Sequence, residues 1–439
     1  MDDDSFNALV IGAGLTVREA ALLRAYAAYL KQIQFNYSDQ FIAETLVNRV
    51  KICRLLIQFF YSRLDPGLHI KRAVNTARLE KRLLRALGGV TKLAEDSVLR
   101  AHIYLVASTL RTNYFQRDAL ANHKKYVSFK FDAARIEGLP KPKPQFEIFV
   151  FSSEMEGVHL RSGKVTRGGL RWSDRSEDYR TEILGLVKAQ QVKNSVIVPV
   201  GAKGGFVVRK PIPDQARDLA LNLGVECYQT FIRGMLDITD NLHRGKLLGP
   251  EDVVRHDQDD PYLVVAADKS TAAFSDIANA IAADYDFWLG DGFASGGSRG
   301  YDHKHMGITA KGAWISVQRH FREFGIDVQK QDFTVIGIGD MSGDVFGNGM
   351  LLSKQTQLLA AFNHMHIFID PEPDPAKSFA ERKRLFNLPR SGWNDYNASL
   401  ISKGGGVFER RAKSINLSAQ IRERFGFSKT SVTPNELIQ

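Results

Sequence analysis

Three prolines at alternate positions, Pro140, Pro142 and Pro144 in GLPKPKPQF (138–146), constrain the fold of this chain more than any other feature. Proline fixes φ and pushes the residue before it toward extended conformations, so neither a helix nor a central strand runs through this segment. The texture differs on its two sides. Residues 6–125 are rich in helix formers with apolar side chains three and four apart, such as Leu22, Leu23, Tyr26, Tyr29 and Leu30. That spacing predicts a mostly helical region. Beyond the prolines, strand-like and helix-like stretches alternate. FEIFVF (146–151) reads as a strand, SEDYRTEILGLVKAQQVKN (176–194) as a helix opened by Ser176, and SVIVPV (195–200) as another strand. YLVVAAD (262–268) reads as a strand ending in an acid, with a helix after it from STAAFSDIANAIA. TAKGAWISVQRHFREFG (309–325) reads as a helix with Thr309 at its start and Gly325 as its stop. Strand FTVIGIG, helix GDVFGNGMLLSKQTQLLAAF and strand HIFID follow. Such alternation implies an α/β class with parallel sheets. The expected divisions are a mostly helical region over 1–145 and α/β domains over 146–308 and 309–439.

Composition narrows the function. The 439 residues leave room for two or three domains, and apolar and charged fractions of 44% and 25% are those of an ordinary globular protein. No apolar run approaches the ~20 residues that span a bilayer. The opening MDDDSFNALV is acidic where a secretory signal is basic. Cys53 and Cys227 are the only cysteines, too few for a disulfide framework or a thiolate metal site, and they fit a reducing cytoplasm. The net charge of +10 falls in the first third: residues 1–145 hold 23 Lys and Arg against 13 Asp and Glu, leaving 36 of each elsewhere. A nucleic-acid binder carries such an excess. Here, however, Arg78, Lys81, Arg82 and Arg85 lie among Leu79, Leu83 and Leu84 at helical spacing, the pattern of a solvated helix face. No nucleic-acid or membrane partner is expected.

Two glycine turns invite a dinucleotide reading. ALVIGAGLTVREA (8–20) has Gly12 and Gly14 but Val17 where a third glycine belongs, and it reads as a helix entry. FTVIGIGDMSGDVF (333–346) fits better. A β-branched run leads into Gly337, Gly339 and Gly343, a helix follows, and the next strand ends in Asp370. Glycines give the tight turn and close phosphate approach, the helix start offers N–H groups, and a strand-end acid accepts from ribose hydroxyls. The pattern departs from the usual form: the third glycine is one residue late, Asp340 and Asp344 bring negative charge to the turn, and Asp370 lies 31 residues after Gly339 (370 − 339). A strand–turn–helix that binds nothing also satisfies it.

A second constellation combines RGGLRWSDR (167–175), Lys193, Lys203 in VPVGAKGGF (198–206) and the strand-end Asp268. Cations converging on one place suit a dianionic ligand, and an acid beside a lysine suits proton transfer. A lysine in a glycine-rich turn, partly desolvated, can act as a base. Scattered surface cations and a plain basic turn satisfy the same spacings. His303 with His305, and His364 with His366, sit two apart with no carboxylate or cysteine completing a set, so no metal site is expected.

RGGLRW, the Gln190–Lys193 segment, VPVGAKGG and GIGDMSGDVFGNGM, together with GGSRGYDHKHMGITAKGAW and SKGGGVFERRAKSI, resemble the large NAD-specific glutamate dehydrogenases. The resemblance covers nearly the whole chain and implies a helical N-terminal region, a glutamate-binding catalytic domain over 146–308 and a Rossmann-like NAD-binding domain over 309–439. It implies oxidative deamination of L-glutamate to 2-oxoglutarate and ammonium with NAD as cofactor, by a cytoplasmic homo-oligomer. Position by position, Lys203 activates water and stabilises the carbinolamine, and Asp268 exchanges protons with the substrate nitrogen. Lys193, with Gln190 nearby, holds the α-carboxylate. Arg167 stands where smaller relatives carry a lysine for the side-chain carboxylate. Thr309 matches a threonine near substrate and nicotinamide, although a helix N-cap explains it equally well. The family continues beyond this C-terminus, so an incomplete NAD domain and a weakly active or non-catalytic chain are part of the expectation. A related dehydrogenase for an apolar amino acid is the alternative, and Arg167 argues against it.

Overall fold

Helix signals in the first hundred residues are local and strong. In the computed structural model, Thr16 caps the helix Val17–Gln32 with its hydroxyl on the Glu19 amide while Glu19 reaches back, a capping box. The structure describes residues 3–193, 198–210, 217–266, 274–298, 303–389 and 391–439. Helices α1 (Ala8–Gly12), α2 (Val17–Gln32), α3 (Asp39–Asn48), α4 (Val50–Leu64), α5 (Arg72–Leu87) and α6 (Leu93–Ser108) come first. Gly14, at φ +62°, turns the chain from α1 into α2, so the first glycine pair is a helix entry. On α5, Arg78, Lys81, Arg82 and Arg85 are exposed while Leu83 and Leu87 are buried.

The helical region ends sooner than the periodicity suggests. Strands β1 (Thr109–Thr112) and β2 (Tyr126–Asp132) follow α6, and β2 pairs antiparallel with β3 (Phe146–Ser152) from Tyr126↔Ser152 to Asp132↔Phe146. The proline segment is therefore the connection between neighbouring strands of one sheet, not a boundary between domains. Its prolines end one strand and let the next begin. The sheet gains β4 (Met155–Arg161), β5 (Thr166–Trp172), β6 (Val200–Val208) and β9 (Val265–Ala266), interspersed along the chain with helices α7 (Tyr179–Lys193), α8 (Arg217–Leu236) and α9 (Ser275–Asp284) and with a separate hairpin of β7 (Asn241–His243) and β8 (Lys246–Leu248). Its order is β1-β2-β3-β4-β6-β5-β9. The pairs from β1 to β6 are antiparallel, and only β6–β5 and β5–β9 are parallel. The sheet is mixed rather than all parallel.

Each face of this sheet carries a core. On one, helices of the first hundred residues and α7 pack on Phe129, Phe131, Phe149, Val158 and Leu160. Tyr26 stacks on Phe129 with ring centroids 4.5 Å apart, and Tyr29 donates to the buried Glu147, which also pairs with Arg180 of α7. On the other, α8 and α9 cover Val150, Leu170 and Phe206. Because the helices share a core with the strands, residues 1–300 form one compact unit and 301–439 a second, in place of the expected divisions at 145 and 308.

The second unit contains α10 (His303–Met306), α11 (Ile308–Glu323), β10 (Phe333–Ile338), α12 (Asp344–Gly349), β11 (Thr356–Phe362), β12 (His366–Ile369), α13 (Pro375–Asn387), β13 (Gly406–Glu409), β14 (Ile415–Asn416), α14 (Ala419–Phe425), β15 (Ser431–Val432) and α15 (Pro434–Ile438). Its main sheet has the order β10-β11-β12-β13, with β10 and β11 parallel and the rest antiparallel. TQLLAAF, expected in a helix, is β11; the helix stops at Gly349. Leucine and alanine suit either state, and the parallel partner β10 decides. No helix among the described residues is long and apolar enough to cross a membrane.

Candidate functional site

Strand parity puts Lys203 and Arg167 on one face of the sheet. A Cβ on Gly201 would meet Gln190 of α7 and one on Gly205 would meet Ile183 of α7, so odd positions of β6 face α7. Lys203 lies between them, 4% exposed and in the middle of the strand. It is not in a strand-end turn. The flanking glycines have another cause: there is no room for side chains. A Cβ on Gly204 would lie 2.4 Å from Leu170 and 2.8 Å from the His159 ring, and one on Gly168 would lie 1.5 Å from the Ala202 carbonyl oxygen. The AKGG sequence records close packing of β6 against its neighbours rather than a bend.

Arg167 and Arg171 share a face of β5, being four apart on one strand, and Arg167 is level with Gly201 of β6. Arg171 donates to Glu182 of α7 at 2.8 Å, and Ser173 donates to the other oxygen of that carboxylate at 2.6 Å. Burial pushes the Glu182 carboxyl up, but the Ser173 and Arg171 hydrogen bonds outweigh it and hold the group below its usual range. Arg167 has different company. Its Nη2 donates to Ser295 Oγ at 3.3 Å, and among the described residues no carboxylate lies within ion-pair distance of it. A half-buried guanidinium with no counter-charge among the described residues has donors left over that can take an anion.

The remaining candidates of this unit are partly seen. Gln190 is half-buried on α7 with its backbone against Gly201, and Lys193 is the last residue of the same helix. Asp268 lies outside the described residues. The strand leading to it, β9, pairs Gly168↔Val265 and Gly169↔Ala266, on the opposite edge of β5 from β6. His159 is fully buried on the opposite face from Lys203; burial and the nearby Arg161 push its pKa down to about 3, so it stays neutral at any working pH.

In the second unit the glycine turn has the anatomy of a nucleotide loop. Gly339 has φ +140°, open only to glycine, and a Cβ on Gly337 or Gly339 would strike Phe346 of α12 at 2.5 or 2.9 Å. Gly343 is the N-cap of α12. The two acids of the turn are engaged locally: Asp340 accepts from Ser342 and from Asn363 Nδ2 at 2.9 Å, and Asp344 from Asn348 Nδ2 at 3.2 Å. These residues fit a dinucleotide's pyrophosphate on the three glycines.

Asp370 does not fit the ribose. The second strand of the strand–helix–strand unit is β11, and its end meets the glycine turn where Gly339 N donates to the Phe362 carbonyl at 2.8 Å. Asp370 follows β12, which runs the other way. Its amide bonds the Leu359 carbonyl, three residues or roughly 10 Å back from that edge. The side chain is fully buried and accepts from the Ser402 amide at 3.1 Å and from the Ser402 hydroxyl. The strand-end position belongs to Asn363, 24 residues after Gly339 (363 − 339). Thr309 is also relocated: the N-cap of α11 is Gly307, at φ +60°, and Thr309 is an exposed second residue of the helix that caps nothing.

Three residues in contact with the candidates have no place in the sequence reading: Glu182, Ser295 and Asn363. Only Asn363 had a signal, its spacing from Gly339, hidden by the helical reading of TQLLAAF. Among the described residues, no group of three or more His, Cys, Asp or Glu is set to hold a metal ion.

The family model for the catalytic domain of bacterial NAD-glutamate dehydrogenase matches residues 82–439, and that for helical motif 3 of glutamate dehydrogenase matches residues 1–66. The NAD-specific glutamate dehydrogenase of Halomonas elongata is 57% identical over 438 residues, covering 100% of this chain and 27% of that protein. That of Pseudomonas aeruginosa is 59% identical over 444 residues, with the same coverage of both. That of Mycobacterium tuberculosis is 56% identical over 432 residues, covering 96% and 27%. The chain spans about a quarter of the length of the curated relatives it matches.

Proposed function

Since this chain belongs to the bacterial NAD-glutamate dehydrogenase family, we propose that it carries the catalytic residues for oxidative deamination of L-glutamate: glutamate, NAD and water give 2-oxoglutarate, ammonium, NADH and a proton. The observation that carries the substrate assignment is Arg167. It is half-buried, level with the Lys203 strand, and among the described residues has no carboxylate partner where its neighbour Arg171 has one. It binds the side-chain carboxylate, bidentately as a guanidinium does. Lys193 and Gln190, at the end of α7, hold the α-carboxylate. Together they orient the Cα–H and the amine, and the packed sheet beneath excludes water.

Lys203, buried between β6 and α7, takes the proton from the attacking water and stabilises the carbinolamine that forms at Cα. Asp268 exchanges protons with the departing nitrogen. NAD, when bound, supplies the hydride acceptor. Gly337, Gly339 and Gly343 would hold its pyrophosphate, Asn363 rather than Asp370 stands where the adenosine ribose is read, and the exposed Thr309 faces the nicotinamide. Residues up to 300 thus supply the substrate site and those from 301 the nucleotide site. The free, buried Cys53 and Cys227 support a reducing cytoplasm, and a homo-oligomer is the proposed assembly. NADH formation followed by absorbance, with glutamate against norvaline as substrate, tests the reading. Equal use of the two amino acids contradicts it.

A further inference from the structure

We propose that Ser295 is the positioning residue for Arg167 and thereby sets the preference for a dicarboxylate substrate; this rests on the reading of Arg167 as the side-chain anchor. An arginine has many rotamers, and a guanidinium discriminates by geometry only if something fixes its plane. The strand fixes the Arg167 backbone. Among the described residues the one hydrogen-bond partner of its side chain is Ser295 Oγ, at 3.3 Å.

Ser295 is itself held on two sides. Its carbonyl accepts from Ser275 Oγ of α9 at 2.9 Å, and the preceding Ala294 is clamped at both backbone groups by Asn279, at 2.8 and 2.9 Å. One residue earlier, Phe293 O accepts from Val265 N of β9 at 2.8 Å, and β9 pairs with β5, the strand that carries Arg167. The loop after Phe293 is thus braced between α9 and the sheet, with Phe293 and Ala294 buried. A hydroxyl that accepts from the guanidinium keeps its own proton to donate to an anion bound beside it. Serine is suited to the place: it is short enough to leave the other guanidinium nitrogens available, and it adds no charge that would compete with the substrate.

The test is steady-state kinetics in the full-length enzyme with Ser295→Ala, Ser295→Thr and Ser275→Ala. Ser295→Ala should raise KM for glutamate roughly tenfold with kcat within about twofold, and leave KM for norvaline unchanged. Ser295→Thr should restore most of the loss, and Ser275→Ala should reproduce it in weaker form without touching Arg167. In an Arg167→Leu background, Ser295→Ala should have no further effect on glutamate. An unchanged glutamate KM in Ser295→Ala, or an equal loss for glutamate and norvaline, overturns the proposal while the function stands. If Arg167→Leu itself leaves glutamate preference intact, the reading of the anchor fails, and this proposal with it.

Discussion

The Arg171 guanidinium donates to the Glu182 carboxylate at 2.8 Å, and that pairing separates two arginines that the sequence RGGLRW presents as equals. Both lie on the same face of β5. One is neutralised by α7; the other, among the described residues, has a serine hydroxyl as its one side-chain partner. On the proposed function, Arg171 does structural work and Arg167 binds the ligand.

Substituting each arginine should therefore give opposite signatures. Arg167→Leu should lower kcat/KM for glutamate roughly ten- to a hundredfold, the worth of a charge-assisted contact of about 1.5–3 kcal/mol, with little change in Tm. Arg171→Leu should lower Tm by a few degrees, since it strips the Glu182 carboxylate of α7 of its paired cation and leaves it the Ser173 hydroxyl. Kinetics and calorimetry on both variants decide this. A larger kinetic loss in Arg171→Leu reverses the assignment.

Lys203→Ala should reduce turnover by about two orders of magnitude or more while the protein still folds, because alanine fits wherever lysine's first carbon did. Lys203→Arg should not recover it, as a guanidinium does not give up its proton. Retained turnover in either variant removes Lys203 from the chemistry.

Gly168→Ala should be among the most damaging single changes in the first unit. Its new carbon would sit 1.5 Å from the Ala202 carbonyl oxygen, forcing β5 away from β6 and displacing Arg167 and Lys203 together. Such overpacking costs about 1–3 kcal/mol or more. A denaturation midpoint equal to that of the parent would mean the strands have more freedom than the packing allows.

Asp370→Asn should leave the preference for NAD over NADP unaltered, because the side chain is buried against Ser402 and away from the glycine turn. It should change the pH dependence of stability. Burial raises the Asp370 pKa against the opposing Ser402 and Glu372 hydrogen bonds. The native state then holds a proton that the unfolded chain has released, so the stabilisation is full below the unfolded carboxylate pKa of about 4 and is lost as pH rises through the folded value. The variant's Tm should rise relative to the parent's as pH increases across that window. A shifted NAD-to-NADP ratio in Asp370→Asn would return this residue to the ribose.

What the sequence conveyed was chiefly local. The helix entry after Gly14, the apolar spacing of Leu22 to Leu30, and the strand before Gly337 were all readable, because each depends on neighbours a few residues away. The errors have one source. The proline segment was read as a boundary because its role as a strand connection depends on β2 pairing with β3. AKGG was read as a turn because the crowding by Leu170, Ile183 and Gln190 is invisible in one dimension. TQLLAAF became a strand through β10. Among the candidate residues, type and spacing draw attention to Lys203 and Arg167, and the family resemblance supplies their proposed roles. Ser295 could not be found that way: it lies 128 positions from the arginine it touches.

The most direct test of the account is NADH production by the full-length enzyme with saturating NAD and either glutamate or norvaline, in the parent and in Arg167→Leu. The prediction is a strong preference for glutamate in the parent that collapses in the variant, with norvaline use unchanged or improved. A parent that ignores the side-chain carboxylate, or a variant that keeps the preference whole, would contradict the assignment of this face of the sheet as the glutamate site.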